Sequence, residues 1–358
     1  MSESTGAAWN RYGPTAAREH GQPGRIGRPS TVTVDIHAHV YVEAAADYVA
    51  PYLDMSQHPL TQFASEETKT LNKGQDAERR ARMTGYEDRF ADLDAMGIDR
   101  QLVSPAPPQC YYTVSPEIGA EAARLVNDGI ASYVAKYPDR FAALGSVPMQ
   151  NGEAAAEELE RAVSVHGFKG VEILTNVAGR ELSDPAFAPF WAKAEALGAW
   201  VFIHPSGFTD GRRFGRFYFS NVIGNPLETT LALHYLIFDG VLERHPGLKI
   251  MAAHGGGFLG AYHGRIDHAW GARSDSRGSL PQPPSSYLKR IYFDAIVFTP
   301  EQLRALIAAY GADRLMMGTD YPFDMGEYDP IGHLLASELS VEDRTAIAGG
   351  NARRLFGI

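Results

Sequence analysis

The sequence predicts an α/β protein that folds as a (β/α)8 TIM barrel. Eight short, buried-looking runs each end in polar or turn residues, and helix-like segments separate most of them. Several of the runs are continuously hydrophobic, as in parallel strands that are covered on both faces. An open doubly wound sheet is the alternative, but no glycine-rich phosphate-binding motif opens a helix after the first run. A closed barrel is therefore the simplest arrangement of the eight repeats.

The strand and helix patterns alternate along the chain in the order that a barrel requires. The predicted strands lie at 32–39, 101–107, 141–148, 168–175, 199–206, 248–255, 290–297 and 314–322. The predicted helices lie at 86–98, 116–138, 151–167, 185–198, 225–247 and 299–311. Each predicted helix precedes a predicted strand, which favours right-handed βα crossovers around one barrel.

The remaining segments predict one domain with two irregular excursions. Residues 1–30 are rich in glycine, proline, alanine and arginine and predict a flexible N-terminal arm, so that residues 31–358 form the single barrel domain. Residues 40–85 are polar and poorly periodic, which predicts a small insertion over the barrel mouth after the first strand. Residues 274–289 are rich in proline and serine and predict a loop or lid, because a strand-like run resumes directly after them.

The composition excludes several classes of function. The 358 residues carry a net charge of -10, whereas a nucleic-acid-binding surface needs a basic face. The single cysteine, Cys110, excludes an internal disulfide and a cysteine-rich metal site, and it fits a reducing cytoplasm. No apolar stretch reaches the ~20 residues of a membrane span, and the N-terminus lacks the hydrophobic region of a signal peptide. We therefore expect a cytoplasmic protein that acts on a small molecule, with neither nucleic acid nor membrane as partner.

Four histidines and one aspartate fall at the ends of predicted strands. His37 and His39 end the first strand, and Ala38 between them points the other way, so both imidazoles face one side. The fifth, sixth and eighth strands end in His204, His254 and Asp320. Strand ends converge on one mouth of a barrel, where active sites lie. A lone histidine at a strand end is usually a hydrogen-bonded structural residue, but the joint pattern predicts a site for one divalent metal ion.

Four strand-end motifs and several longer blocks resemble the amidohydrolase superfamily. The motifs are HAH at 37–39, HP at 204–205, AHGGG at 253–257 and GTDYPF at 318–323. The blocks HGGGFLGAYHGRIDHAW, PPSSYLKRIYFDAIVF, GADRLMMGTDYPFDMGE and GNARRLFGI resemble its decarboxylase branch, typified by the 2-amino-3-carboxymuconate-6-semialdehyde decarboxylases. The resemblance runs from about residue 34 to the C-terminus and implies a barrel of the metal-dependent hydrolase type.

The resemblance also implies roles for the residues at the matching positions. The ligands of one divalent metal ion, zinc in the named decarboxylases and manganese in some relatives, would be His37, His39, His204 and Asp320. His254 would be the acid/base beside the metal, and Asp320 would share in catalysis. Three neutral imidazoles and one carboxylate leave such an ion an open position and a net positive field.

Arginines are the expected ligands of a substrate carboxylate. Arg265 matches an arginine that reaches a neighbouring subunit's active site in the family, which implies a homodimer or a higher homo-oligomer. The ordinary alternative for this residue is a surface ion pair with Asp267. A second carboxylate-binding arginine is expected from the region of Arg79, Arg80 and Arg82.

Several positions indicate which branch of the superfamily the sequence resembles. His37 stands where several hydroxybenzoate decarboxylases have glutamate, which favours the muconate-semialdehyde type. The fourth strand ends in Thr175 and Asn176, whereas binuclear hydrolases have a lysine there that bridges two metals. Where the family has a tryptophan after the fifth-strand histidine, this sequence offers Phe217 or Tyr218, so the identity of the substrate is not fixed by the resemblance.

These features favour a metal-dependent, oxygen-independent decarboxylase of an unsaturated or aromatic carboxylic acid, such as a carboxymuconate semialdehyde or a hydroxybenzoate. A metal-dependent hydrolase or hydratase acting on a lactone, amide or unsaturated acid is the alternative, because the same ligands serve both reactions. A non-enzymatic barrel that keeps its metal site for structure or for binding a partner is the third alternative, and the adjacent free His254 argues against it. Asp294, at the end of the seventh strand, either supports the metal ligands or caps a loop.

Overall fold

The structure, a computed structural model, describes residues 27–358, with the side chain of residue 261 left aside. The strands of this part of the chain are β1 Val34–Val40, β2 Arg100–Pro105, β3 Phe141–Ala143, β4 Gly170–Leu174, β5 Asn176–Val177, β6 Arg180–Glu181, β7 Trp200–His204, β8 Lys249–Ala252, β9 Tyr292–Asp294 and β10 Leu315–Met316. The predicted N-terminal arm, 1–30, lies almost wholly outside the described residues.

The helices surround the strands and also build the loops at the barrel mouth. The first nine are α1 Glu43–Val49, α2 Pro59–Gln62, α3 Glu66–Thr84, α4 Glu87–Met96, α5 Pro116–Ala135, α6 Gly152–Ser164, α7 Ala188–Leu197, α8 Phe219–Val222 and α9 Gly224–Phe238. The others are α10 Val241–Arg244, α11 Leu259–Tyr262, α12 Gly264–Ala272, α13 Ser274–Arg277, α14 Pro284–Leu288, α15 Pro300–Tyr310, α16 Pro330–Ala336, α17 Val341–Thr345 and α18 Asn351–Phe356. None of these helices is long and apolar enough to cross a membrane.

Eight parallel strands form one ring. One sheet has the order β1-β2-β3 and the other the order β10-β9-β8-β7-β4, with every pairing parallel. Parallel bridges join the two sheets at both edges, from Gly145 to Val171 and from Ala38 to Tyr321. At the second junction the His39 amide donates to the Tyr321 carbonyl over 2.7 Å. The predicted (β/α)8 barrel is confirmed, and each predicted strand overlaps one strand of the ring.

The insertion after β1 is more regular than the sequence predicts. It holds the 19-residue helix α3, whose first turn carries Glu66 and Glu67 and whose N-cap is the Ser65 hydroxyl, accepting from the Thr68 amide at 3.1 Å. Only Arg79 and Met83 of this helix are buried, so no continuous apolar stripe marks it in the sequence. The predicted loop at 274–289 likewise contains the short helices α13 and α14.

The apolar core has two parts that lie on opposite faces of the strands. The larger cluster packs the strands against the surrounding helices. The smaller cluster gathers residues of β1, β2, β7, β8 and β10 with Ala352 and Phe356 of α18. The Phe356 ring lies 4.7 Å from that of Trp200, the first residue of β7, so α18 closes the end of the barrel where the strands begin. The opposite end, where His204 ends β7, is left for the site.

Candidate metal centre

An irregularity in β1 turns its two histidines towards the barrel interior. The pairing of β1 with β2 shifts register between Asp35 and Ala38. Val34 and Ile36 belong to the smaller core cluster, whereas Ala38 belongs to the larger one, facing the helices. His37 contacts Phe202 of the smaller cluster, with ring centroids 4.8 Å apart. The predicted orientation of Ala38 away from the two histidines is therefore confirmed, although the register shift was not predicted.

Four buried side chains meet at the open end of the barrel. Each of His37, His39, His204 and Asp320 offers one ligand atom, and these atoms lie within 4.8 Å of one another. Asp320 Oδ1 lies 3.1 Å from His39 Nε2, 3.3 Å from His37 Nε2 and 4.0 Å from His204 Nε2. The structure thus brings together the four residues that the sequence predicts as ligands of one metal ion.

The outer ring nitrogens fix the tautomer of all three imidazoles. His39 Nδ1–H donates to the Pro105 carbonyl at 3.0 Å, and His204 Nδ1–H donates to the Pro205 carbonyl at 2.7 Å. His37 Nδ1–H donates to Asp294 Oδ2 at 2.7 Å. Each Nε2 then carries a lone pair, as a metal ligand requires.

Unpartnered nitrogen atoms show that this donor set fits a metal. His37 Nε2 and His204 Nε2 are buried and have no hydrogen-bond partner among the described residues. Leaving such atoms unpaired is costly unless another group pairs with them. Three imidazole nitrogens and one carboxylate oxygen form a complete set for a divalent ion with an open coordination position.

Electrostatics divides the four side chains into different protonation states when no metal is bound. Burial opposes the charge on His37, but the carboxylates of Asp320 and Asp294 outweigh it and raise the pKa of His37 to about 10. Burial lowers the pKa of His39 and of His204, which stay neutral. Burial acts against the ionised form of Asp320 too, but His37 and the other imidazoles hold the pKa of this carboxyl well below its usual range. A metal ion would have to displace the proton of His37 to bind.

Asp294 performs both of the roles that the sequence leaves open. Besides the bond to His37, its Oδ2 accepts the His254 backbone N–H at 2.8 Å. Its Oδ1 accepts the backbone N–H groups of Gly255 at 2.9 Å and of Ile296 at 3.1 Å. One buried carboxylate therefore orients a metal ligand and fixes the two loops that follow β8 and β9.

His254 lies beside the four ligands on the loop after β8. Its Nε2 is 3.4 Å from Asp320 Oδ2, and its ring centroid is 5.3 Å from that of His37. The backbone of His254 has φ of 55°, and that of Asp320 has φ of 60°, both in the left-handed region that non-glycine residues rarely adopt. The next residue, Gly255, also has positive φ, and a Cβ there would lie 2.5 Å from Val297 Cγ1. Local strain and close packing thus hold His254 at the mouth.

Glu172 is a site residue that the sequence analysis missed. It lies on β4, fully buried, with its Oε2 3.6 Å from His39 Nδ1. Neither carboxylate oxygen has a hydrogen-bond partner among the described residues, and burial raises the pKa of Glu172 to about 8. The signal in the sequence is a single charge inside the apolar run GVEIL, but it lies within the strand and not at the strand end, where a bridging lysine would lie. Glu172 adds a third carboxylate to the surroundings of the metal ligands.

The structure separates the candidate arginines. Arg79 is only 8% exposed, and it lines a cavity of about 150 Å³, the metal-side cavity, together with His204 and Asp320. Its guanidinium lies 4.5 Å from the Phe323 ring and pairs with Asp76. Arg80 is exposed, stacks over Tyr41 at 4.0 Å and lines a different, neighbouring cavity.

The other predicted substrate-binding residues lie further apart. Arg82 pairs with Asp92 at 2.8 Å. Arg265 is exposed on α12, and its contact with a neighbouring subunit stays a prediction. Tyr218 lines the metal-side cavity, whereas Phe217 is 68% exposed and does not line it. Tyr218 is therefore the aromatic residue of this pair that lies beside the metal centre.

Comparison with known proteins gives the relatives of this chain. The Amidohydrolase family model matches residues 34–358. The 2-amino-3-carboxymuconate-6-semialdehyde decarboxylase of Dictyostelium discoideum is 37% identical over 273 residues, which cover 75% of this chain and 76% of the relative. The γ-resorcylate decarboxylase of a Rhizobium species is 30% identical over 291 residues, covering 74% of this chain and 84% of the relative.

Solved structures give the same result. The 5-carboxyvanillate decarboxylase of Sphingomonas paucimobilis superimposes with a TM-score of 0.80 at 26% identity, covering 92% of this chain and 100% of the other. A dihydroxybenzoic acid decarboxylase of a Polaromonas species, solved with bound manganese and the inhibitor 2-nitroresorcinol, gives 0.75 at 26% identity, covering 91% of this chain and 96% of the other. The predicted resemblance is confirmed: the chain belongs to the Amidohydrolase family, and these relatives are decarboxylases.

Proposed function

We propose that this protein is a metal-dependent decarboxylase that releases CO2 from an unsaturated or aromatic carboxylic acid without oxygen. The observation that carries the proposal is the set of three imidazoles and one carboxylate around a common point, beside a cavity that also contains a buried arginine. The similar relatives are named as decarboxylases of a carboxymuconate semialdehyde, of resorcylate and of carboxyvanillate, which supports the same reaction class here.

We propose Zn²⁺ as the ion, held by His37, His39, His204 and Asp320, because a set dominated by imidazoles suits zinc. Manganese, as in the Polaromonas structure, is the alternative. When bound, the ion supplies positive charge that stabilises the negative charge developing on the substrate as the carbon–carbon bond breaks.

The chain itself supplies the proton that the reaction needs. Loss of CO2 leaves the bonding electron pair on the substrate carbon, and one proton must reach that carbon to give the product. His254 is the candidate donor, because its Nε2 lies next to Asp320 and its Nδ1 has no partner among the described residues. Asp320 Oδ2 lies 3.4 Å from His254 Nε2, and Asp294 holds the backbone of His254 in place.

Arg79 is the candidate for binding the carboxylate that is lost or a neighbouring one. A guanidinium that is buried beside the ligands can form two parallel hydrogen bonds to a carboxylate. Tyr218 and Phe323 supply apolar surface against which a flat conjugated acid can pack. Phe217, Arg80 and Arg265 remain predicted substrate-binding residues, with Arg265 acting across a homodimer or higher oligomer.

The proposal extends to the organisation of the whole chain. We infer that residues 31–358 form one domain, with 40–85 covering the mouth, since helix α3 brings Arg79 to the metal-side cavity. A cytoplasmic location is inferred from the single cysteine, Cys110, which is buried and unpaired.

The test is to load the protein with Zn²⁺ or Mn²⁺ and to measure CO2 released from carboxymuconate semialdehydes and hydroxybenzoates under nitrogen. Release from at least one compound, lost after chelation and restored by metal, is the expected result. His254→Ala should keep its metal and lose about 100-fold or more in kcat. Turnover of lactones or amides, with no CO2 from any acid, would overturn the proposal in favour of a hydrolase.

A further inference from the structure

A second cavity adjoins the metal-side cavity and shares part of its wall. This side chamber has a volume of about 320 Å³ and is built by the insertion and by the loops after β2, β4 and β7. His58, Pro108 and Ser206 line both cavities, whereas Tyr112 and Glu228 line only the side chamber. The two cavities are therefore neighbours, and His58, Pro108 and Ser206 lie between them.

Three polar atoms in the walls of the side chamber are buried without a partner. They are His58 Nε2, Ser206 Oγ and the Tyr112 hydroxyl, and none has a hydrogen-bond partner among the described residues. Their residues are 6%, 5% and 5% exposed. Leaving a buried donor unpaired costs about 1–3 kcal/mol, so three of them around one chamber point to a polar ligand.

The chemistry of these atoms is that of neutral hydrogen-bond donors. His58 Nδ1 accepts the backbone N–H of Leu60 at 3.4 Å, which leaves the proton of the neutral ring on Nε2. Burial lowers the pKa of His58 to about 4, so the ring is neutral at physiological pH. Ser206 and Tyr112 each contribute a hydroxyl group that can donate or accept.

The charges around the chamber exclude an anionic occupant. No lysine or arginine is among the described residues that line it, and Glu228 is its one carboxyl group. In the metal-side cavity the arginine is Arg79, so the two cavities differ in what they can bind. An anion belongs beside Arg79, and a neutral oxygen belongs beside His58, Ser206 and Tyr112.

We propose that the substrate carries a neutral oxygen group, a hydroxyl, methoxy or carbonyl, remote from the reacting carboxylate, and that His58, Ser206 and Tyr112 bind it in the side chamber. The inference rests on the proposed function in one respect: it takes the carboxylate to be the end that lies in the metal-side cavity. It adds the substituent that distinguishes the substrate from simpler acids.

The test compares pairs of acids that differ only in this oxygen. The pairs are 2-hydroxybenzoates with and without a further hydroxyl, methoxy or formyl group, given to the metal-loaded protein. Tyr112→Phe and Ser206→Ala should each reduce the ratio of kcat/KM within the preferred pair about tenfold, because only the compound with the oxygen loses a hydrogen bond. Tyr287→Phe is the matched control, because that buried hydroxyl donates to Glu243 and does not line the chamber. The ratio of kcat/KM within the preferred pair should be the same for Tyr287→Phe as for the wild type.

Binding measured by calorimetry separates the two proposals. If no acid releases CO2, the decarboxylase proposal fails, yet the dissociation constants of the same pairs still test the chamber. The inference is overturned if the ratio of kcat/KM, or of dissociation constants, within each pair of acids is the same as in the wild type for all three variants, Tyr112→Phe, Ser206→Ala and His58→Asn. Metal content equal to that of the wild type in Ser206→Ala shows that the nearby ligand His204 is intact.

Discussion

Asp294→Asn tests whether one buried carboxylate controls the metal centre from outside the ligand set. In the native protein Oδ2 of Asp294 accepts from His37 Nδ1 at 2.7 Å and from the His254 backbone at 2.8 Å. The asparagine keeps one oxygen, so its amide N–H₂ must face at least one of the groups that now donate. If it faces His37, the ring loses its acceptor and the tautomer that directs Nε2 towards the metal.

The expected loss of metal affinity follows from the hydrogen bonds that Asp294→Asn removes. A hydrogen bond to a charged group contributes about 1.5–3 kcal/mol, and each 1.4 kcal/mol is a factor of ten in a dissociation constant. The metal affinity of Asp294→Asn should therefore fall about 10–100-fold, the range seen when partners of metal ligands are removed. The kcat of fully loaded enzyme should fall further, because the His254 backbone loses an acceptor as well.

The measurement is a competition titration of Zn²⁺ against a coloured chelator at neutral pH, with the circular dichroism spectrum as a check of folding. Asp184→Asn is the matched control, since that carboxylate also accepts a backbone N–H, from Ala186 at 2.9 Å, but lies outside the site. The reasoning is refuted if Asp294→Asn folds and binds zinc within about twofold of Asp184→Asn.

Three further substitutions test charged groups beside the metal ligands and in the two cavities. Burial raises the pKa of Glu172 to about 8, so Glu172→Gln should weaken zinc binding about tenfold in a titration above pH 8, where the carboxylate 3.6 Å from His39 Nδ1 is ionised; equal affinity at that pH would refute this. Arg79→Gln should raise KM for the acid substrate about 10–100-fold, whereas Arg80→Gln should change it little, and similar effects of both would contradict the assignment. Burial raises the pKa of Glu228 to about 7 from 4.5, so native protein holds a proton that the unfolded chain has released between these values. The free energy of unfolding of the native protein, measured in urea relative to Glu228→Gln, should therefore be highest below pH 4.5 and should fall by about 3 kcal/mol as the pH rises to about 7. A difference that does not change with pH would refute this prediction.

The ligand set could be predicted from the sequence because each ligand ends a strand. A barrel brings strand ends to one mouth, so His37, His204 and Asp320 meet although 283 positions of the sequence separate the first from the last. The alternation of a strand was enough to pair His37 with His39. The register shift between Asp35 and Ala38 could not be predicted, since it arises from pairing with β2 and leaves no turn residue in the sequence.

The choice among the arginines needed the structure for a different reason. Arg79, Arg80 and Arg82 lie on α3, where successive residues are rotated by about 100°, so Arg80 points away from Arg79. Arg82 lies one turn after Arg79 on the same side, but it pairs with Asp92. The phase of a helix is normally indicated by an apolar stripe, and α3 has almost none, because most of it is exposed. Glu172 escaped notice because its importance comes from its distance to His39, which pairing of β4 within the ring decides.

The charges of the two cavities bear on whether the substrate carries one carboxylate or two. The carboxylates of Asp320 and Asp294 lie beside the metal site and would offset part of the positive charge of a divalent ion, so a substrate carboxylate also needs arginine as a countercharge. Arg79 is the one arginine or lysine among the described residues that line the metal-side cavity, and the side chamber has none. A monoacid therefore has its countercharge within one chain, whereas a diacid needs a second arginine, for which Arg265 of a neighbouring subunit is the predicted source. Arg265→Gln should accordingly raise KM about 10-fold or more for a carboxymuconate semialdehyde and leave a hydroxybenzoate almost unaffected. Equal losses for both acids would show instead that Arg265 acts on folding or assembly and not on the second carboxylate.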